Sequence, residues 1–189
     1  MITLNNPDFT KRSEIVREKG TNMTSFENGE SNFYEWVDKG SSFMPSELNA
    51  AFLFAQIENI DKVQNKRISM WDFYYTNLKE LENKDLIQLP VIPDYATNNA
   101  NLFYLVCRNV IERNSLIKHL LNNNIQAVFH YRCLHKSQYI RNNFNDRPEV
   151  LINAEMYQDR LLRLPLYFSL TKEEQEIIVD AIIEFYNIY

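Results

Sequence analysis

Glycine is scarce in this chain: three residues, Gly20, Gly29 and Gly40, all within the first 40 positions. Beyond them no Gly-rich phosphate loop of the dinucleotide-binding or P-loop kind can be built. Cysteine is nearly as rare. Cys107 and Cys133 give no disulfide framework and leave a reduced, intracellular state as the expectation. No run approaches the roughly 18 apolar residues that span a bilayer. The start, Ile2-Thr-Leu-Asn-Asn-Pro7, has no basic segment followed by an apolar stretch, so no leader is visible and a cytoplasmic location is expected, without a membrane. A basic excess is also missing. Twenty Lys and Arg stand against 25 Asp and Glu, for a net charge of -5, which argues against nucleic acid as the main partner. Lys62, Lys66 and Arg67 read as the wet face of a helix.

What is present suits a soluble globular chain. Of 189 residues 45% are hydrophobic and 13% aromatic, enough for one medium domain, or a small domain with a piece of another. Ile2 to Leu4 reads as a strand end. Thr10 can cap a helix to about Lys19, with Ile15 and Val16 inward and Gly20 stopping it. Residues 21–44 form a long connection that carries Phe26, Phe33, Tyr34, Trp36 and Phe43. Such a loop is expected to be functional or packed on a partner.

From Ser46 to Leu81 there is neither Gly nor Pro. Ile57, Ile60, Val63, Ile68, Trp71, Tyr75, Leu78 and Leu81 recur at mostly helical spacing, predicting one helix of roughly 35 residues and about 50 Å. It outruns one small domain and reads as a connector. Its first turns, Leu48 to Ala55, are apolar or small nearly all round, which implies burial on several sides.

Residues 86–189 read as a compact α+β unit. Phe103 to Cys107 and Ala127 to Tyr131 are strands, with a helix over Ser115 to Asn122 between them and a left-handed cap in Asn122-Asn123-Asn124. A helix with Ala154, Met156 and Leu161 leads to the extended Arg163-Leu-Pro-Leu-Tyr167, where Pro165 implies a sheet edge. Thr171 and Glu174 form a capping box, and Ile177, Ile178, Ala181, Ile182 and Phe185 are the buried stripe of the last helix.

The densest polar cluster is His130-Tyr-Arg-Cys-Leu-His135. His130, Cys133 and His135 invite a metal reading. On a strand, however, the two histidines have opposite parity, and no second Cys or His pair has zinc spacing, so no metal is expected. Cys133 as a nucleophile has no sign of activation around it. Gly40-Ser41-Ser42, before the long helix, offers hydroxyls and N–H groups where a helix dipole favours an anion. Helix capping by Ser42 or Ser46 reads equally well, with Asp38 and Glu47 opposing an anion.

Several strings taken together carry a resemblance. Arg17-Glu-Lys-Gly-Thr-Asn22, Trp36 to Ala51 with its Gly40-Ser-Ser-Phe-Met-Pro, Gln56-Ile-Glu58, Val128-Phe-His-Tyr131 with Leu134-His135, and Arg160-Leu-Leu-Arg-Leu-Pro-Leu-Tyr167 occur in family order. The chain resembles the sugar-nucleotide aminotransferases of the fold-type I PLP enzymes. Within them it is most similar to the dTDP-4-amino-4,6-dideoxygalactose transaminases. The resemblance implies the C-terminal portion of this α/β fold: residues 1–45 from the edge of the large PLP-binding domain, 46–82 as connector helix, and 83–189 as the small α+β domain.

Such enzymes move an amino group from glutamate to a 4-keto-6-deoxy nucleotide sugar with pyridoxal 5'-phosphate as electron sink. The Ser-x-His-x-x-Lys surroundings of their Schiff-base lysine occur nowhere here, and Lys11, Lys19 and Lys39 have no such context. The resemblance therefore implies no catalytic residue in this chain, which would be inactive alone. It implies that Ser42 touches the cofactor phosphate of a neighbouring subunit. Asn22, at that interface, would bind substrate, and His130, Tyr131 and His135 would line the sugar-nucleotide side. Met23 replaces a usual Arg, and Cys133 a common Pro. The implied partners are the nucleotide sugar and glutamate, with a homodimer or a separate N-terminal half completing the site. Two rivals are a non-catalytic interaction module that pairs with an intact homologue, and an inert remnant with exposed apolar surface.

Overall fold

The computed structural model describes residues 2–144 and 150–188. It divides into two compact units, residues 1–58 and 59–189.

In the first unit, Ile2 to Leu4 is not a strand. Asn6 opens a 3-10 turn, Pro7–Phe9, by accepting the Asp8 N–H at 2.9 Å. The helix α1, Thr10–Arg17, follows directly, so Thr10 lies within it rather than capping it. Lys19 (φ 62°) and Gly20 (φ 83°) turn the chain out of α1, and the Gly20 amide closes on Ile15 O at 2.8 Å. The connection then folds back on this turn. Glu18 pairs with Ser42 and Thr21 with Trp36 in isolated antiparallel bridges, and a short helix α2, Met23–Glu27, fills the bend. The helix α3, Glu47–Glu58, closes the unit, and none of its residues is buried.

The second unit begins with α4, Ile60–Asn83. The single helix expected over 46–81 is thus two, separated at Asn59 (φ -104°, ψ 9°). No Gly or Pro signals this break. The buried side of α4 is Met70, Trp71, Tyr74, Leu78 and Leu81, a stripe at spacings of one, three and four. Tyr74 is fully buried and displaces Tyr75 from the expected stripe.

Four antiparallel strands follow in the order β1-β2-β4-β3: Ile87–Gln88, Phe103–Cys107, Leu161–Leu164 and, at the far edge, Val128–Phe129. The expected strand over Ala127 to Tyr131 is therefore only two residues long. Pro165 does not mark an edge strand either. β4 sits between β2 and β3, and Pro165 falls just after its last residue, where its carbonyl accepts the Tyr74 hydroxyl at 2.9 Å. Proline ends the strand without removing a ladder bond.

Strand alternation divides the sheet. Phe103 and Leu105 register with Leu164 and Leu162, and this face meets the helices: Phe103 packs against Trp71 and Tyr74 at 5.3 and 5.1 Å between ring centroids. Tyr104 registers with Arg163, and Val128 with the same Arg163 from the other side, on the opposite face.

The helix α5, Val110–Asn122, starts earlier than expected because Asn109 caps it, accepting the Glu112 N–H at 2.9 Å. It ends at Asn124 in the left-handed region, φ 61°. Short helices α6, Gln138–Asn143, and α7, Ile152–Arg160, precede β4. The last helix, α8, Lys172–Ile188, opens with the reciprocal Thr171–Glu174 bonds of a capping box. Ile178, Ala181, Ile182 and Phe185 are buried as expected, whereas Ile177 is exposed. Gln175 is buried and donates to Met70 O at 3.0 Å, tying α8 to α4.

Candidate functional site

The expected site residues fall in both units. In the first, Asn22 is the clasp of the aromatic loop. Its Nδ2 donates to Phe33 O at 2.8 Å and Ser31 Oγ at 3.2 Å, and its Oδ1 accepts the Glu35 N–H at 2.8 Å. The Trp36 indole N–H reaches Lys19 O at 2.6 Å, leaving most of its ring exposed beside exposed Phe33, Tyr34 and Phe43. Asn22 thus shapes a loop whose outer surface is aromatic.

Ser42 lies opposite Glu18, flanked by Lys19 N–H to Ser41 O (3.2 Å) and Phe43 N–H to Arg17 O (3.1 Å). In such a pair the central residue's own N–H and C=O point away from its partner. Ser42 is exposed, and its N–H and hydroxyl make no hydrogen bond among the described residues, so both are available to an oxyanion. The helix-capping role goes to Ser46, whose Oγ accepts the Asn49 N–H at 3.3 Å. Ser42 is therefore not at the helix terminus, and any anion it holds is held by local donors rather than by the α3 dipole. As a contact to a cofactor phosphate the residue fits.

In the second unit, His130 and Tyr131 follow β3. Their rings lie 4.9 Å apart, Tyr131 is 77% exposed, and His130 Nδ1 is buried with no partner among the described residues. Tyr131 also lies 5.8 Å from the Arg163 guanidinium carbon. His135 turns to α7. It is 7% exposed, and its Nε2 meets Glu155 Oε1 at 3.0 Å, while Lys136 Nζ reaches Glu155 Oε2 at 2.5 Å. Hydrogen bonding from Lys136, then from His135, holds the Glu155 carboxyl down to about 2. Glu155 also receives the Leu151 N–H at 3.3 Å at the start of α7, and Gln158 of the same helix accepts the Cys133 N–H at 2.8 Å. The turn 133–136 is thus pinned to α7.

Sequence reasoning gave no role to Glu155, Gln158 or Arg163. Arg163 stands inside a quoted string; Glu155 and Gln158 carry no local signal, because their partners arrive through tertiary packing. Among the described residues no group of three or more His, Cys, Asp and Glu side chains could hold a metal, and no helix is long and apolar enough to cross a membrane.

Comparisons with known proteins agree with this architecture. The description of the DegT/DnrJ/EryC1/StrS aminotransferase family matches residues 1–183. A dTDP-3-amino-3,6-dideoxy-alpha-D-galactopyranose transaminase of Aneurinibacillus thermoaerophilus is 24% identical over 96% of this chain and 45% of its own length. Among solved structures, NtdA of Bacillus subtilis with bound cofactor PMP superposes with a TM-score of 0.80 at 21% identity, over 98% of this chain and 41% of that one. DesV of S. venezuelae, in complex with a ketimine intermediate, gives 0.79 at 22% identity, over 97% and 45%. The chain spans about half the length of the curated relatives it matches. The fold is that of the C-terminal portion of these aminotransferases, whose family works with pyridoxal phosphate. With its family pattern matched over nearly its whole length, this chain belongs to the DegT/DnrJ/EryC1/StrS aminotransferase family.

Proposed function

We propose that this chain forms the C-terminal part of a PLP-dependent aminotransferase that moves an amino group from glutamate to the 4-keto carbon of a nucleotide-linked 6-deoxyhexose. The observation that carries the reading is the family match over residues 1–183, in a chain spanning about half the length of its curated relatives. On this reading residues 1–45 belong to the cofactor-binding domain, 46–82 connect, and 83–189 form the small domain. Pyridoxal phosphate, when bound, supplies the electron sink for moving the amino group.

The chain's own residues then position and shield. The available N–H and hydroxyl of Ser42 hold a phosphate oxygen of the cofactor in a neighbouring subunit of a dimer. Asn22 shapes the aromatic loop at that interface. His130 and Tyr131 face the nucleotide sugar. His135 acts one step back, by fixing the 133–136 turn against α7 through Glu155.

A second reading is a non-catalytic interaction module that pairs with an intact homologue. It is favoured by α3, on which Leu48, Phe52, Leu53, Phe54 and Ile57 are all exposed. A contiguous apolar helix of this kind marks an interaction surface.

A mixing experiment tests both. The chain is purified alone and with the N-terminal half of a close relative, PLP is added, and glutamate-dependent amination of 4-keto and 3-keto nucleotide sugars is followed. Activity in the mixture only, on the 4-keto sugar, is the expected result. Activity on the 3-keto sugar alone overturns the proposed substrate. Association with an intact homologue, with no activity in any mixture, overturns the enzymatic reading in favour of the module.

A further inference from the structure

Arg163 occupies the centre of β4, flanked by Tyr104 of β2 and Val128 of β3 on the sheet face turned away from Trp71 and Tyr74. Its Nε is buried and has no hydrogen-bond partner among the described residues. It makes no ion pair among them either, in a chain where acidic residues outnumber basic ones by 25 to 20. A buried guanidinium nitrogen without an acceptor loses its hydration and gains nothing in return. Beside it lies a cleft of about 350 Å³ that Arg163 lines, with Asn101 and Gln126 as its other polar side chains and no carboxylate on its walls. Tyr131 extends the same locus. Its ring contacts the Arg163 guanidinium at 5.8 Å and the His130 ring at 4.9 Å, and His130 Nδ1 is likewise buried and unpartnered.

We propose that Arg163, with His130 against the same Tyr131 ring, is an oxyanion-binding residue. The cation is held against an aromatic face, it has no carboxylate partner among the described residues, and amide side chains line the cleft, a set that suits a planar or tetrahedral oxyanion. Two sources offer that chemistry: the phosphate of a nucleotide sugar and the carboxylate of an amino donor. Lys at this position would keep the charge but lose the fork.

The test is binding to the full chain, which separates it from the amination experiment: failed amination leaves this readout intact. With ¹⁵N-labelled protein, inorganic pyrophosphate and glutarate are titrated separately while the Arg163 Nε–H and His130 ring signals are followed. Saturable shifts at both residues are expected, with binding weakened roughly tenfold or more in Arg163→Gln and partly retained in Arg163→Lys. Shifts with pyrophosphate identify phosphate as the source, and shifts with glutarate alone identify a carboxylate; either supports the site. No saturable shift at Arg163 with either anion overturns the proposal, as does unchanged affinity in a folded Arg163→Gln. Because the wild-type titration reads Arg163 directly, the outcome does not depend on a variant that might unfold.

Discussion

Gly20 and Gly40 are packed back to back: a methyl group on the Cα of Gly40 would sit 2.1 Å from the Gly20 amide nitrogen. The reverse substitution is no easier, since a Cβ on Gly20 would lie 1.8 Å from Asp38 O, at a φ of 83°. Val37 and Asp38 both donate their N–H groups to Gly20 O at 2.9 Å. This contact brings Ser42 alongside Glu18, so two of the chain's three glycines are spent on presenting one serine.

Gly40→Ala is therefore expected to destabilise the first unit by about 1–3 kcal/mol, because backbone rather than a flexible side chain must move. Amide exchange over residues 18–43 should accelerate, while residues 100–130 stay unchanged. Unaltered exchange in the 18–43 loop would contradict the packing described here.

The Thr171 capping box gives a second expectation. Thr171→Ala removes the acceptor of the Glu174 N–H and should cost about 1 kcal/mol. In a chain of this size that lowers the melting temperature by roughly 2–4 °C. Glu174→Gln keeps an acceptor for the Thr171 N–H and should cost less. A thermal melt of both variants checks the order.

That box was legible because it is local: its two residues are three apart and each closes on the other's backbone. Strand β2 was legible for the same reason, as an apolar run between polar segments. What was not legible depends on distant partners. Pro165 suggests an edge, but the strand before it is central because β2 and β3, far apart in sequence, flank it. Nothing at Asn59 announces the break between α3 and α4. Ile177 matches the period of α8 yet is exposed. The site divides in the same way. His130 and Tyr131 stand out as adjacent polar aromatics, whereas the bond that buries His135 comes from α7, and the unpaired Arg163 acquires meaning only from the register that sets it beside β3.

Glu155 carries the pH dependence. Its folded carboxyl titrates near 2, below its ordinary value of 4.5, first because of Lys136 and then His135. A depressed carboxyl contributes stability that is present above the ordinary value and lost as pH falls through the folded one. The pinning of the 133–136 turn should thus persist at pH 4 and weaken toward pH 2. Lys136→Met removes the largest cause and should move the Glu155 midpoint upward in a carbon-detected NMR titration. A midpoint that stays near 2 in that variant would show that Lys136 is not its cause.

The two cysteines should differ sharply toward alkylating reagents. Cys107 is 2% exposed at the end of β2, and burial pushes its thiol up to about 12, only partly offset by its hydrogen bond with the Tyr186 hydroxyl at 3.7 Å. The thiolate is the nucleophile, so at pH 8 Cys107 is both inaccessible and protonated. Cys133 lies in the partly exposed turn pinned by Gln158. Iodoacetamide followed by peptide mass spectrometry should modify Cys133 in the native chain and reach Cys107 only as the sheet opens. The Cys107 rate then reports unfolding of the second unit, and it should rise with urea while that of Cys133 changes little. Equal native rates would mean that β2 and α8 do not enclose Cys107. The Tyr186 hydroxyl lies against both Cys107 and Glu112, at 3.7 and 2.7 Å, so Tyr186→Phe offers a graded version of the test. It should raise the Cys107 rate by loosening the contact between α5 and α8, and leave that of Cys133 where it was.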